Sequence, residues 1–468
     1  MDDASILRSS LQAKSRSMGV KLIVVGSLAL LLTAPALYVG RLVEDRTQRA
    51  ADVIKEVSSH VGGQLTFLGP TLAIPYNIPP QSGHNLAAPG IYIVFPTRAS
   101  AAVRTTTEER RRSLFKVPVF RADLNLDATF DLAGIPIAAP PGAELEWGRA
   151  EIVVGVSDAR GALADATLAT PEKTSTLVPA EIAPDLSVGG GQSPGIKLTL
   201  LGAKAGSIAK PGAQFAVTSV LRFSGAQRIA VLAYGKTTHL ALRGDWPNPG
   251  FDGGFLPVSR SVSGNGFSAE WSVPFIARGM RAEGQVDSIT GLAATALGVS
   301  FIEVADPYQS VNRSLKYALL FLGLIFISFF VFEVTTGKRV HPAQYILVGV
   351  AQIIFYLLLL SFAERIGFDY GFLTAGAATV ILLSADARWV FESRKQGIRA
   401  LVVFSLLYVL IYLLLRLEDN ALLVGAIASF AAVTSAMYFT RGIDWYSPLP
   451  RADTQERQDT PAVPGNTL

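Results

Sequence analysis

The chain has 468 residues, half of them hydrophobic and only 17% charged, well below the roughly 25% usual for soluble domains, so it asks for an apolar solvent. Its 41 basic and 37 acidic residues are spread along the chain, and the net charge of +4 is no nucleic-acid footprint. The absence of cysteine excludes disulfides, thiolate nucleophiles and Cys-based zinc or iron–sulfur sites.

Residues 1–19 read as a cytoplasmic tail bearing Arg8, Lys14 and Arg16. Residues 20–39 follow as a first transmembrane helix, an apolar run from Val20 to Val39 broken only by Lys21 and Pro35. Ala34-Pro35-Ala36 has the small-x-small form of a signal-peptide cleavage site, which leaves a cleaved leader as the alternative. The run through Leu37 to Val39 exceeds the ~7–15-residue apolar core of such a leader and favours the helix.

Residues 41–315 read as a β-rich domain outside the cytoplasm, entered through a short helix over Glu44–Ser59 with Val53, Ile54 and Val57 at helical spacing. Beyond it the period becomes two. Leu124, Leu126, Ala128, Phe130 and Leu132 alternate with Asn125, Asp127, Thr129 and Asp131, as a half-buried strand requires. Similar alternations run over Phe215–Phe223, Ile196–Leu200 and Phe267–Phe275. Clusters such as Ala139-Pro140-Pro141-Gly142, Gly189-Gly190-Gly191 and Pro247-Asn248-Pro249-Gly250 end the strands. The expected fold is all-β or mainly β, an antiparallel sandwich or open barrel. Gly-containing turns after 124–132 and 215–223 fit either a duplicated unit or coincidence.

Residues 317–439 hold five further apolar runs, Tyr317–Val334, Tyr345–Phe362, Phe368–Ser384, Ala400–Leu415 and Leu422–Phe439, which makes six spans in all. Lys338 and Arg339, then Arg388, Arg394, Lys395 and Arg399, mark two loops as cytoplasmic, and the loops at Glu364-Arg365 and Arg416-Leu417-Glu418-Asp419 as outer ones. Six crossings put both termini in the cytoplasm. Residues 447–468, rich in Pro, Asp, Gln and Thr, read as a disordered tail.

No G-x-x-x-x-G-K-[ST], G-x-S-x-G or H-E-x-x-H pattern occurs, which argues against an ATPase, an α/β-hydrolase or a zincin. The four histidines, His60, His84, His239 and His341, show no metal-ligand spacing. No catalytic residue, cofactor or metal site is expected. Leu383-Ser384-Ala385-Asp386 resembles a Walker B strand only superficially and suits a helix end better. Ser157, Asp158 and Arg160 share a Gly-bracketed turn after Ile152–Val154. They are either a binding or catalytic group or an Asx-type turn in which Asp158 caps backbone amides. Arg110-Arg111-Arg112 beside Glu108 and Glu109 is either an anion-binding patch or a solvated loop. Glu333, Gln344 and Gln352 are polar within apolar spans and His341 lies close by. Glu333 is thus a candidate proton or ion relay, with pairing to Lys338 as the structural alternative. Gly367/Gly371 and Gly425/Ser429 fit helix packing.

Several blocks resemble the CreD family of bacterial inner-membrane proteins: Asp306-Pro307-Tyr308-Gln309, Arg313-Ser314, Lys316-Tyr317, Phe332-Glu333 and His341-Pro342-x-Gln344-Tyr345. Gly62-Gly63-Gln64, Leu68-Gly69-Pro70, Pro75-Tyr76, Lys116-Val117-Pro118-Val119, Gly155–Gly161, Asp245-Trp246-Pro247-x-Pro249 and Phe255-Leu256-Pro257 extend the resemblance, which runs from about Gly62 to Tyr438. It implies a Gram-negative inner-membrane protein with a periplasmic domain, linked to envelope integrity and stress, two-component regulation and colicin tolerance, and it lends no catalytic residues. Three functions stay open at this level. The β domain binds a periplasmic protein, a lipid or an envelope polymer; or the C-terminal bundle transports or handles lipid; or the protein is a signalling accessory. The lipid bilayer is a partner in all three, nucleic acid in none, and the sequence sets no oligomeric state.

Overall fold

The structure, a computed structural model, describes residues 18–79, 88–112, 115–135, 141–189, 195–301, 307–336, 338, 340–416 and 421–441. The basic tail residues Arg8, Lys14 and Arg16, the segment 447–468, His84 and Arg339 lie outside the described residues. The chain divides into two compact units, Met1–Thr47 with Ala305–Leu468, and Gln48–Val304.

In the helical unit the first apolar run forms Met18–Leu31 and, after a turn at Leu32, Thr33–Ser59. Pro35 explains the interruption, because it has no N–H to return to the preceding turn. The Thr33 hydroxyl donates to Leu30 O at 2.5 Å, and the ladder resumes with Ala36 N to Leu32 O at 3.4 Å. The short helix expected over Glu44–Ser59 is the continuation of this one.

Five described helices are long and apolar enough to cross a bilayer: Ile23–Ser59, Ala318–Thr336, Pro342–Ile366, Phe368–Val390 and Arg394–Arg416. The expected count of six is therefore corrected to five. The last apolar run forms the helix Ala421–Thr440, but its described apolar stretch is Leu423–Ser435.

Lipid tails are as apolar as leucine, so close packing holds the bundle together. Phe321 and Phe355 meet the Tyr408 ring at 4.9 and 5.0 Å, and Phe329 stacks on Phe404 at 5.5 Å. A side chain at Gly371 would come within 2.8 Å of Ala363 N, so this glycine allows two successive helices to touch. Lys338 pairs with Glu392 at 2.7 Å, which places the loops after the second and fourth crossing helices at one end of the bundle. Glu364, Asp369 and Arg416 gather at the other end, where Tyr308 donates to Glu364 at 3.0 Å.

In the second unit an eleven-stranded and an eight-stranded sheet face each other. The expected alternation holds: within the strand Phe115–Asp131 every second side chain is buried from Phe120 onward, and Val119–Asp131 pairs with Gln214–Ala226, Phe130 stacking on Phe215 at 5.0 Å. Both sheets feed one core, as where Phe67 of the first meets Phe223 of the second edge-on at 5.3 Å. The result is a sandwich, but a mixed one rather than the antiparallel one expected. Leu65–Ile78 runs parallel to Arg228–Leu232, and Arg98–Arg112 parallel to Thr237–Gly244. Parallel neighbours so distant in sequence need long crossovers that local alternation does not reveal. Gly69 has a definite role in the core, because a side chain there would overlap the ring of fully buried Tyr234. The Tyr234 hydroxyl donates to Ser100 O at 2.8 Å and Asp127 O at 3.0 Å, bonding two strands of the second sheet.

Candidate functional site

Glu333 lies in the last turns of Ala318–Thr336 and is 2% exposed. An isolated carboxylate at this depth would be very costly, so its partners decide what it does. Lys21 of the first helix donates to Oε1, Val340 N donates to the same oxygen at 3.0 Å, and the Tyr345 hydroxyl donates to Oε2 at 3.0 Å. The Lys21 ammonium also donates to Val340 O. The partner is thus Lys21, not Lys338, which pairs with Glu392. Three donors suit the ionised carboxylate, and the group ties the first helix to the second and third crossing helices.

The structure separates the other polar candidates of the helical unit from this group. His341 caps Pro342–Ile366, its Nδ1 accepting from Ala343 N at 3.2 Å. Gln344 buries an Oε1 without a partner. Gln352 accepts from the Tyr408 hydroxyl at 3.0 Å and leaves its Nε2 buried and unpaired. Leu383-Ser384-Ala385-Asp386 lies inside the helix Phe368–Val390 and is no strand. Sequence reading missed Lys21 and Tyr345 as partners. Lys21 is the one charge inside the first apolar run, and the rule that singled out Glu333 applies to it equally.

In the β unit, Ser157, Asp158 and Arg160 form the expected turn. Ser157 Oγ accepts from Thr66 N at 2.9 Å and donates to Gln64 O at 3.0 Å, which fastens the turn to the start of Leu65–Ile78. Asp158 accepts from Arg160 N at 3.0 Å and from its guanidinium at 2.6 Å, and that side-chain bond holds the carboxyl below its ordinary range. The Ser157 hydroxyl and both Asp158 oxygens are thereby engaged in backbone and turn bonds. Gly161 closes the turn against Gly62 and Ser224: a side chain at Gly62 would come within 2.6 Å of Gly161 Cα, and one at Gly161 would strike Ser224 O. Gly161→Ala is expected to lower stability by about 1–3 kcal/mol, since the obstruction is backbone and cannot swing aside. Thermal unfolding of the full chain in detergent measures this, with Gly148→Ala, where nothing lies within 4 Å, as the neutral comparison.

Arg110, Arg111 and Arg112 end the long strand Arg98–Arg112 instead of forming a loop. Arg110 pairs with Glu108 at 2.9 Å, Arg112 with Glu56, and Lys116 opposite with Glu109 at 3.4 Å, so the basic run is largely neutralised.

Two features had no sequence signal. Ser259–Ser263 is one of the two outer strands of the eight-stranded sheet, Thr174–Thr176 being the other, and is exposed along all five residues. Just before it Leu256 is 70% exposed and Val258 is open, as is Val262 within it, while Phe275 and Ile276, the latter 91% exposed, follow the neighbouring strand Gly266–Val273. Arg278, in contrast, is 4% exposed. Its guanidinium lies 4.0 Å over the Phe95 ring and its three nitrogens make no hydrogen bond. Burial pushes it down to about 10. Among the described residues no group of three metal-ligating side chains comes together.

A sequence model of the family described as "Inner membrane protein CreD" matches residues 17–446. The chain is 30% identical over 425 residues to the "Inner membrane protein CreD" of Escherichia coli (strain K12), covering 89% of this chain and 91% of that protein.

Proposed function

The chain belongs to the CreD family of multi-pass inner-membrane proteins, and from that premise we propose that it supports envelope integrity by holding a periplasmic protein on the open edge of its β unit. The observation that carries this reading is the strand Ser259–Ser263, exposed throughout and preceded by exposed Leu256 and Val258. An unpaired strand edge offers N–H and C=O groups to another extended chain, and an apolar margin adds side-chain affinity. Of a protein, a lipid and an envelope polymer, the protein is the partner that such an edge fits best.

The helical unit is the anchor in this reading. Lys338 shares one end of the bundle with Glu392 and with the basic loop that runs on to Arg394, Lys395 and Arg399, which supports a cytoplasmic assignment for that end. The N-terminus is then cytoplasmic and the β unit periplasmic.

Ser261→Lys with Val262→Lys puts two charges on the edge, the means by which natural edges resist pairing. Both sites are exposed, so folding should change by less than about 0.5 kcal/mol. At wild-type protein levels, cells carrying the variant should become sensitive to envelope stress. Full protection by the variant would remove the edge from the account.

A further inference from the structure

Phe368–Val390 and Arg394–Arg416 leave between them a groove of about 540 Å³, open to the side and lined mainly by apolar groups, with Gly376, Ala377 and Ser405 keeping it wide. It runs from Asp369 to the level of Ile381, twelve residues or about 18 Å at 1.5 Å per residue, roughly one leaflet of a core about 30 Å thick. At its mouth Asp369 pairs with Arg416, and the Tyr412 hydroxyl donates to Asp369 at 3.0 Å while accepting from Arg416 Nε at 3.3 Å. Both charged side chains remain about half exposed, 49% for Asp369 and 55% for Arg416.

We propose that this groove binds one acyl chain of a phospholipid whose headgroup carries both an ammonium and a phosphate, such as a phosphoethanolamine lipid. Length and lining suit a hydrocarbon chain that enters from the bilayer surface. The mouth suits a zwitterion. Asp369 has lone pairs left for an ammonium, and Arg416, with five N–H donors of which the pair and Tyr412 take only part, has donors left for a phosphate. An anionic lipid would gain from Arg416 but meet the Asp369 carboxylate, so the pair discriminates by headgroup. The site lies wholly within the helical unit and its failure would leave the edge-strand reading untouched.

The test uses the full chain in lipid nanodiscs with photoactivatable acyl-chain probes of phosphatidylethanolamine and phosphatidylglycerol, and maps the labelled peptides. The ethanolamine probe should label Tyr370–Ile381 and Leu401–Tyr412 at least fivefold more than the glycerol probe does. Ala377→Leu with Ser405→Leu fills the groove from two exposed positions and should abolish that preference, with the unfolding midpoint unchanged. Asp369→Asn should weaken the ethanolamine probe and not the glycerol probe. Equal labelling by the two probes, or undiminished labelling of the filled variant, would reduce the groove to ordinary bilayer contact and overturn the proposal.

Discussion

Lys21→Met alone and Glu333→Gln alone should each lower the stability of the helical unit by about 3–5 kcal/mol, and the double variant should recover most of that loss. Each single change strands a buried charge. Without Lys21 the carboxylate keeps only the neutral donors Val340 N and Tyr345; with Gln at 333 the ammonium keeps only carbonyl acceptors, Val340 O among them. In the double variant the Gln carbonyl still accepts from Val340 N, the Tyr345 hydroxyl can turn to accept from the Gln amide instead of donating, and no charge is left to solvate. Chemical unfolding in detergent micelles, arranged as a double-mutant cycle, reads the coupling directly. The same variants separate a clasp from a proton relay in cells. A clasp predicts that the stable double variant protects the envelope, whereas a relay predicts that it fails although folded.

Arg278→Met should stabilise the β unit, by about 1–3 kcal/mol. A guanidinium pushed down to about 10 by burial marks a cost of order 3 kcal/mol for its charged form. Stacking on Phe95 offsets up to about 2 kcal/mol of it. The folded state binds the proton less tightly than the unfolded one, so the penalty is present in full below pH 10 and is relieved only as pH rises through that value. The gain from Met should therefore be constant between pH 6 and 9 and shrink above 10. Hydrogen exchange of the peptide Gly266–Gln285 in the full chain measures it locally. Faster exchange in the variant would mean that the stacked guanidinium contributes more than its burial costs.

The crossing helices were legible because an apolar run of about 20 residues has few other uses. The final run reads the same way in sequence, and only the described extent of its apolar stretch separates it from the rest. In the β unit the alternation around Leu124–Leu132 gave strand, face and phase. It could not give the partner, and the parallel pairing of Arg98–Arg112 with Thr237–Gly244 joins segments more than a hundred residues apart. Glu333 was visible as a charge out of place, but its partner sits 312 residues earlier in the chain. The turn at Ser157–Gly161 was read as a turn or a reactive group, and the bonds to Gln64 and Thr66 supply what the local sequence lacked. Arg278 and the strand edge had no signature at all, since burial of one side chain and the lateral position of one strand are properties of the assembled sheet.

A photo-crosslinking amino acid at Val262 in living cells tests the central claim most directly, with the same group at exposed Lys197 on the other sheet as the comparison. A discrete periplasmic protein should be captured from position 262, not from 197, and lost when Ser261 is also lysine. Capture of lipid or envelope polymer alone, or the same products from both positions, would contradict the account.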